Sequence, residues 1–195
     1  MLDEDYSATL MHALFFLGEL RSERSLNVIL EILRQDDYFY DFHFGNSIQE
    51  ILPLTCYYVG RNQLPALLDF VKEPGLTMCF TAELLESVAM LALFEPERRQ
   101  EVFEWYRGVI NFYLEHISDS DYYDSDLSAM IITKLMDIRA VELLPEIKRL
   151  FDSETVDETY CGTYTEVEDF VNSHLEYPNR SHLLLNIYER YGEFY

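Results

Sequence analysis

Four aspartates, Asp119, Asp121, Asp124 and Asp126, place carboxylates as close together as a calcium loop does. An EF-hand loop needs oxygen ligands at positions one, three and five, a glycine at six and a glutamate at twelve. Counted from Asp119, positions five, six and twelve hold Tyr123, Asp124 and Met130, so the pattern fails. The run reads instead as a solvated acidic turn that caps a helix starting near Asp126, where a carboxylate favours the positive helix end. The histidines His12, His43, His116, His174 and His182 include no i, i+4 pair and no H-E-x-x-H, so no helix face offers zinc ligands. Neither G-x-S-x-G nor a glycine-rich phosphate loop is present. With 36 carboxylates, acid–base pairs are too numerous for one to stand out, and a working pair would also need burial to shift its pKa. No catalytic residue, cofactor or metal ligand is assigned, and the chain is expected not to be an enzyme.

The sharper chemistry is aromatic and acidic. Tyr38, Phe39, Tyr40, Phe42 and Phe44 alternate with Asp36, Asp37 and Asp41 at one junction, and Tyr122 and Tyr123 sit among aspartates at another. Tyrosine buries a large area with few rotors and keeps a polar tip, which suits binding surfaces. Carboxylates beside it would meet Arg or Lys of a partner through charge-assisted hydrogen bonds. The candidate partner-binding residues are therefore Asp36, Asp37, Tyr38, Tyr40, Asp41, Tyr122 and Tyr123. The competing reading is that these rings fold back over the helix ends.

Charge narrows the partners. The 195-residue chain carries 36 acidic and 14 basic residues, a net charge of −22. Polyanions need clustered Lys and Arg, so nucleic acid and anionic membrane surfaces are excluded as partners. No apolar run reaches the ~18 residues of a membrane span. The acidic N-terminus, Met1-Leu2-Asp3-Glu4-Asp5, lacks the positive region that opens a secretory signal, so the cytoplasm is the expected compartment. The three cysteines, Cys56, Cys79 and Cys161, are widely spaced without C-x-x-C and form no disulfide framework. Cys56 and Cys79 fall in apolar helical runs and read as core residues.

Helical periodicity fixes what must hold these residues. Stripes run through Leu10, Leu14 and Leu17, then Leu26, Ile29, Leu30 and Leu33. Further pairs follow at Ile48–Thr55 with Leu64–Val71, Leu84–Leu91 with Val102–Tyr113, and Leu127–Ile138 with Leu144–Phe151. Pro65 and Pro145 each sit in a first helical turn, where the missing N–H is harmless. Gly60 is placed to close a helix in the left-handed conformation. Trp105 reads as a core or inter-repeat residue. The stripes repeat: a 118-residue shift lays Leu17, Leu20, Leu26 and Ile29 on Leu135, Ile138, Leu144 and Ile147, and a 38-residue shift lays Leu26 and Ile29 on Leu64 and Leu67. A period of ~40 residues is that of HEAT-like helix pairs, which bury their apolar faces only by stacking. The expected fold is all-α: one domain, residues 1–195, forming a right-handed α-solenoid of about four HEAT-like hairpins. A spacer runs from Asp36 to Gly45, Asp152 to Asn179 is the least helical stretch, and a helix at His182–Tyr191 caps the stack.

The run Leu135-Met136-Asp137-Ile138-Arg139-Ala140-Val141-Glu142-Leu143-Leu144-Pro145-Glu146-Ile147-Lys148-Arg149-Leu150-Phe151, followed by Val156-Asp157 and Val167-Glu168-Asp169, resembles the end of a bacterial HEAT-like repeat family of unknown function. The Asp36-Asp37-Tyr38 junction is similar too. The resemblance implies a helical-repeat fold and brings no catalytic residue. Members often carry a Cys- and His-rich metal-binding tail; this sequence does not show one, so no metal ligand carries over. The leading functional expectation is a non-enzymatic scaffold that binds another protein. One alternative is an acidic inhibitor or immunity-type protein that neutralises a basic partner. Another is an enzyme or small-molecule binder with a site in the solenoid groove.

Overall fold

The computed structural model describes residues 3–119, 122, 125–173 and 186–194. Every regular element among the described residues is helical. The apolar stripes become α1 (Asp3–Leu20) and α2 (Leu26–Leu33), then, past a further helix, α4 (Ile48–Gly60) and α5 (Leu64–Phe70). Next come α6 (Met78–Phe94) and α7 (Arg99–Glu115), and then α8 (Ser125–Asp137) and α9 (Leu144–Asp152). The first helix of each pair packs on the first helix of the next: α1 on α4, α4 on α6, α6 on α8. Second helices do likewise, α5 on α7 and α7 on α9.

This layering explains the differing hydrophobic patterns. Helices α4 and α6 lie between neighbours and are buried around most of their circumference, Ile48, Ile51, Leu52, Leu84, Leu85 and Val88 completely. Helix α9 buries only one side, with Ile147 and Leu150 inward and Lys148 and Arg149 outward. Burial of each such Leu or Ile stabilises by roughly 1.5–3 kcal/mol, more than the ~0.5 kcal/mol helix penalties of the β-branched residues among them.

Side chains tie each pair to the next at a near-constant separation. The Trp105 indole N–H donates to the Leu64 carbonyl at 3.0 Å, 41 residues back, and the Tyr113 hydroxyl to the Val71 carbonyl at 3.1 Å, 42 back. Thr55 reaches the Leu14 carbonyl and Thr77 the Gln35 carbonyl, both at 3.3 Å. The tight turns inside pairs recur too. Arg21 and Arg139, 118 residues apart, both adopt positive φ (49° and 50°) just beyond a helix.

Four features depart from the sequence expectation. The Asp36–Gly45 spacer is a helix, α3 (Asp37–His43), because Asp36 caps it by accepting the Phe39 N–H at 2.9 Å and Phe39 and Phe44 pack on the core. The stretch after Asp152 holds α10 (Glu158–Cys161) and α11 (Tyr164–Asn172), packed on α8 and α9. A capping box, Thr163 with Glu166, starts α11, and Val167 and Val171 bury its inner side. Buried Arg139 anchors it, donating to the Phe170 carbonyl and to Ser173 Oγ at 2.7 Å. The final helix, α12 (Ile187–Phe194), packs on α1 rather than closing the far end of the stack; residues 182–185 of the expected cap lie outside the described residues. Gly60 does not turn the chain: it is the last residue of α4, and a Cβ there would stand 3.1 Å from Leu67 Cδ1.

Candidate functional site

The α3 insertion meets α6, the end of α7 and the start of α8 around a cleft of about 660 Å³. One wall is α3 with its cap: Asp36, Asp37, Tyr40 and Asp41 line it. The opposite wall comes from the turn before α6 and its first residues, Glu73, Leu76, Thr77, Met78 and Cys79. Tyr113, Tyr122 and Leu127 close the end. The turn passes through Gly75 at φ 71°, a conformation that favours glycine.

The first acidic–aromatic junction and one tyrosine of the second, some eighty residues apart in sequence, therefore meet at one cleft. Asp36, Asp37, Tyr40, Asp41 and Tyr122 line it together. Tyr38 does not; it is 77% exposed on the outer side of α3, its ring 6.2 Å from Phe42. Tyr123 lies outside the described residues. The expectation that the rings fold back holds for only some of them. Tyr40 packs edge-on against Phe80 at 5.2 Å and Phe44 is buried. At the other end, Tyr122 stands against Phe112 at 5.4 Å and His116 at 4.9 Å, and the His116 Nδ1 is 2.8 Å from the Phe112 carbonyl.

The carboxylates are not equivalent. Glu73 is gripped by Arg34 through Nε and a terminal nitrogen at 2.7 and 2.6 Å, and the hydrogen bonds from that guanidinium hold its carboxyl below the ordinary range. Asp36 is engaged by the helix start it caps. Asp37 and Asp41, one turn apart on α3, have no Lys or Arg partner among the described residues. Among the described residues no Lys or Arg lines the cleft.

Along α6 the acidic line continues inward from Cys79 to Glu83 and Glu86, one and two turns on. Burial pushes Glu83 up to about 7; Lys134 opposes the rise and the like charge of Glu86 adds to it. Lys134 pairs with Glu86 at 2.8 Å. Burial works to lower the Lys134 pKa, but the charges of Glu86 and Glu83 outweigh it and keep the ammonium ionised. Burial also raises the Cys79 thiol, assisted by Asp37, Glu83 and Asp41, although the neighbouring Tyr40 hydroxyl favours the thiolate. Tyr40 itself is pushed up to about 12, first by burial and then by the charges of Cys79, Glu83 and Asp41. An activated nucleophile needs the opposite, a thiolate stabilised by positive surroundings. Among the described residues no three His, Cys, Asp or Glu side chains converge as metal ligands.

Residues 1–186 match a family described as Protein of unknown function (DUF1186). The chain belongs to that family. No curated protein and no solved structure is significantly similar to it. No helix among the described residues is long and apolar enough to cross a membrane.

The sequence missed Cys79, Glu83 and Lys134 as neighbours of the cleft. Cys79 was read as core, yet it is only partly buried at the cleft wall. One signal was available: Glu83 and Glu86 are charges on a helix that is otherwise apolar from Met78 to Phe94. Charges on a buried helix point either to pairing or to a site.

Proposed function

We propose that this chain is a non-enzymatic scaffold, a right-handed α-solenoid of four HEAT-like hairpins with a shorter fifth pair, that holds a protein partner at the α3–α6 cleft. The carrying observation is that Asp36, Asp37, Tyr40 and Asp41 of one acidic–aromatic junction and Tyr122 of the other line that cleft together. Two things support the repeat architecture: chain-order packing of equivalent helices and hydrogen bonds that link side chains to positions about one repeat away. The cleft lies within the 300–1,000 Å³ range of ligand sites, large enough to seat partner side chains. Its rim continues into the exposed Tyr38–Phe42 pair, an aromatic anchor of the sort that dominates interfaces. The raised thiol pKa of Cys79, set by burial and by the carboxylates around it, disfavours nucleophilic chemistry at this place.

Site-specific photocrosslinking tests the reading. A photoreactive phenylalanine placed at Tyr38 or Phe42 in the native cell is expected to capture the same protein, whereas one at Val28 or Tyr160, exposed elsewhere, captures none of it. Adducts distributed equally over all four positions, or none at the rim, would contradict it.

A further inference from the structure

Most of the cations among the described residues are engaged away from Asp37 and Asp41, and Lys72, beside the cleft, lies 5.9 Å from the Phe112 ring. Arg34 binds Glu73 and Glu31, Arg61 binds Glu95, and Arg98 binds Glu95, Glu101 and the Arg61 carbonyl. Arg99 reaches the Arg139 carbonyl and Arg107 reaches Glu146 and Glu104, while Lys134 is paired with Glu86. These bonds mostly bridge one helix pair to the next. The cleft is the reverse case. Among the described residues it presents Asp37 and Asp41 without a cation, against the apolar wall of Leu76, Met78 and Leu127 and the rings of Tyr40 and Tyr122.

That combination has a defined complement. A long aliphatic stem ending in a positive head lays its methylenes on the apolar wall, stacks beside a ring and brings its charge to two carboxylates. Lys and Arg side chains have this form. A free simple cation would use only the carboxylates and leave the apolar wall uncovered. The adjoining Tyr38–Phe42 pair, exposed on the same helix, offers a second contact outside the cleft.

Resting on the scaffold reading above, we infer that the cleft between α3 and α6 is a docking site for a basic segment of a partner protein, with a Lys or Arg side chain inserted between the Asp37–Asp41 pair and the Leu76–Leu127 wall. Two exposed carboxylates one turn apart at the mouth of the cleft, on a chain of net charge −22, attract a basic segment, so association is fast at low salt and weakens as salt rises.

The test is fluorescence anisotropy of the full chain with a labelled nonalysine peptide, at low and at high salt. The comparison is between Asp37→Asn/Asp41→Asn and Glu97→Gln/Asp169→Asn, which removes the same charge at exposed positions remote from the cleft. Thermal melts confirm that both variants fold. The inference expects at least a tenfold loss of affinity in the cleft variant and less than twofold in the control. A charge-neutral change, Tyr122→Ala, is expected to weaken binding several-fold. Equal losses in the two double variants would overturn the site and leave only the overall negative field. Spermine displacing the peptide as well as unlabelled nonalysine does would overturn the peptide as occupant in favour of a small polyamine. If photocrosslinking at Tyr38 still captures a partner through Asp37→Asn/Asp41→Asn, this inference fails while the scaffold reading stands.

Discussion

Two acidic regions of this chain use carboxylates in opposite ways. Along the seam between helix pairs, Glu73, Glu95 and Glu146 each meet a guanidinium from the neighbouring pair, and the bonds act as staples. At the cleft, Asp37 and Asp41 are exposed and have no such partner among the described residues. The sign of the side chain is the same in both. What differs is whether the ~40-residue repeat brings an arginine opposite it. Where the neighbouring pair supplies a cation the acid is structural, and on the inserted helix α3 Asp37 and Asp41 have no such cation among the described residues.

The largest effect should come from the stacking itself. Trp105→Ala removes a buried indole and its bond to Leu64, and is expected to cost about 3–5 kcal/mol in denaturant unfolding. A cost below about 1 kcal/mol would mean that the pairs do not close on each other there.

Second is Glu83, which stands between the two regions. Its folded pKa is raised to about 7 from an ordinary 4.5. Below 4.5 folded and unfolded chains are both protonated and the group is neutral in its effect. As pH rises towards 7 the unfolded chain releases its proton first, so stability falls, and above 7 the penalty is complete. Glu83→Gln should stabilise the fold at pH 8 by about 1–3 kcal/mol relative to its effect at pH 4, an order-of-magnitude figure from the shift. Urea unfolding at the two pH values reads this directly; no pH dependence of the difference would place Glu83 in water.

Smaller still is the seam. Arg98→Ala loses bonds to the Arg61 carbonyl and to two carboxylates, part of them solvent-screened, and is expected to cost about 1 kcal/mol. Smallest is the cleft: Asp37→Asn/Asp41→Asn should change stability by less than about 0.5 kcal/mol, because no partner is lost and an i, i+4 repulsion is relieved.

The repeating part of this arrangement was legible in the sequence because it follows from hydrophobic spacing. Leu26, Leu64 and Leu144 announce second helices by their phase and by Pro65 and Pro145 beside them. Helix α3 was not legible: its rings alternate with aspartates without a helical stripe, and only the Asp36 cap and tertiary packing of Phe39 and Phe44 make it a helix. Helix α11 had a readable start in Thr163 and Glu166, but its charge masked the two inward valines. The acidic–aromatic residues were identified by composition. That Asp37 and Tyr122 would share a cleft depended on three-dimensional stacking, which spacing along the chain does not encode.

The contrast is tested most directly by melting the two double variants Asp37→Asn/Asp41→Asn and Arg34→Ala/Arg98→Ala beside the parent chain at low salt. The cleft variant is predicted to melt within about 2 °C of the parent or above it, and the seam variant several degrees below. A cleft variant that melts lower than the seam variant would show that Asp37 and Asp41 hold the fold, and would contradict the division between acids that staple helix pairs and acids that carry no part of the fold's stability.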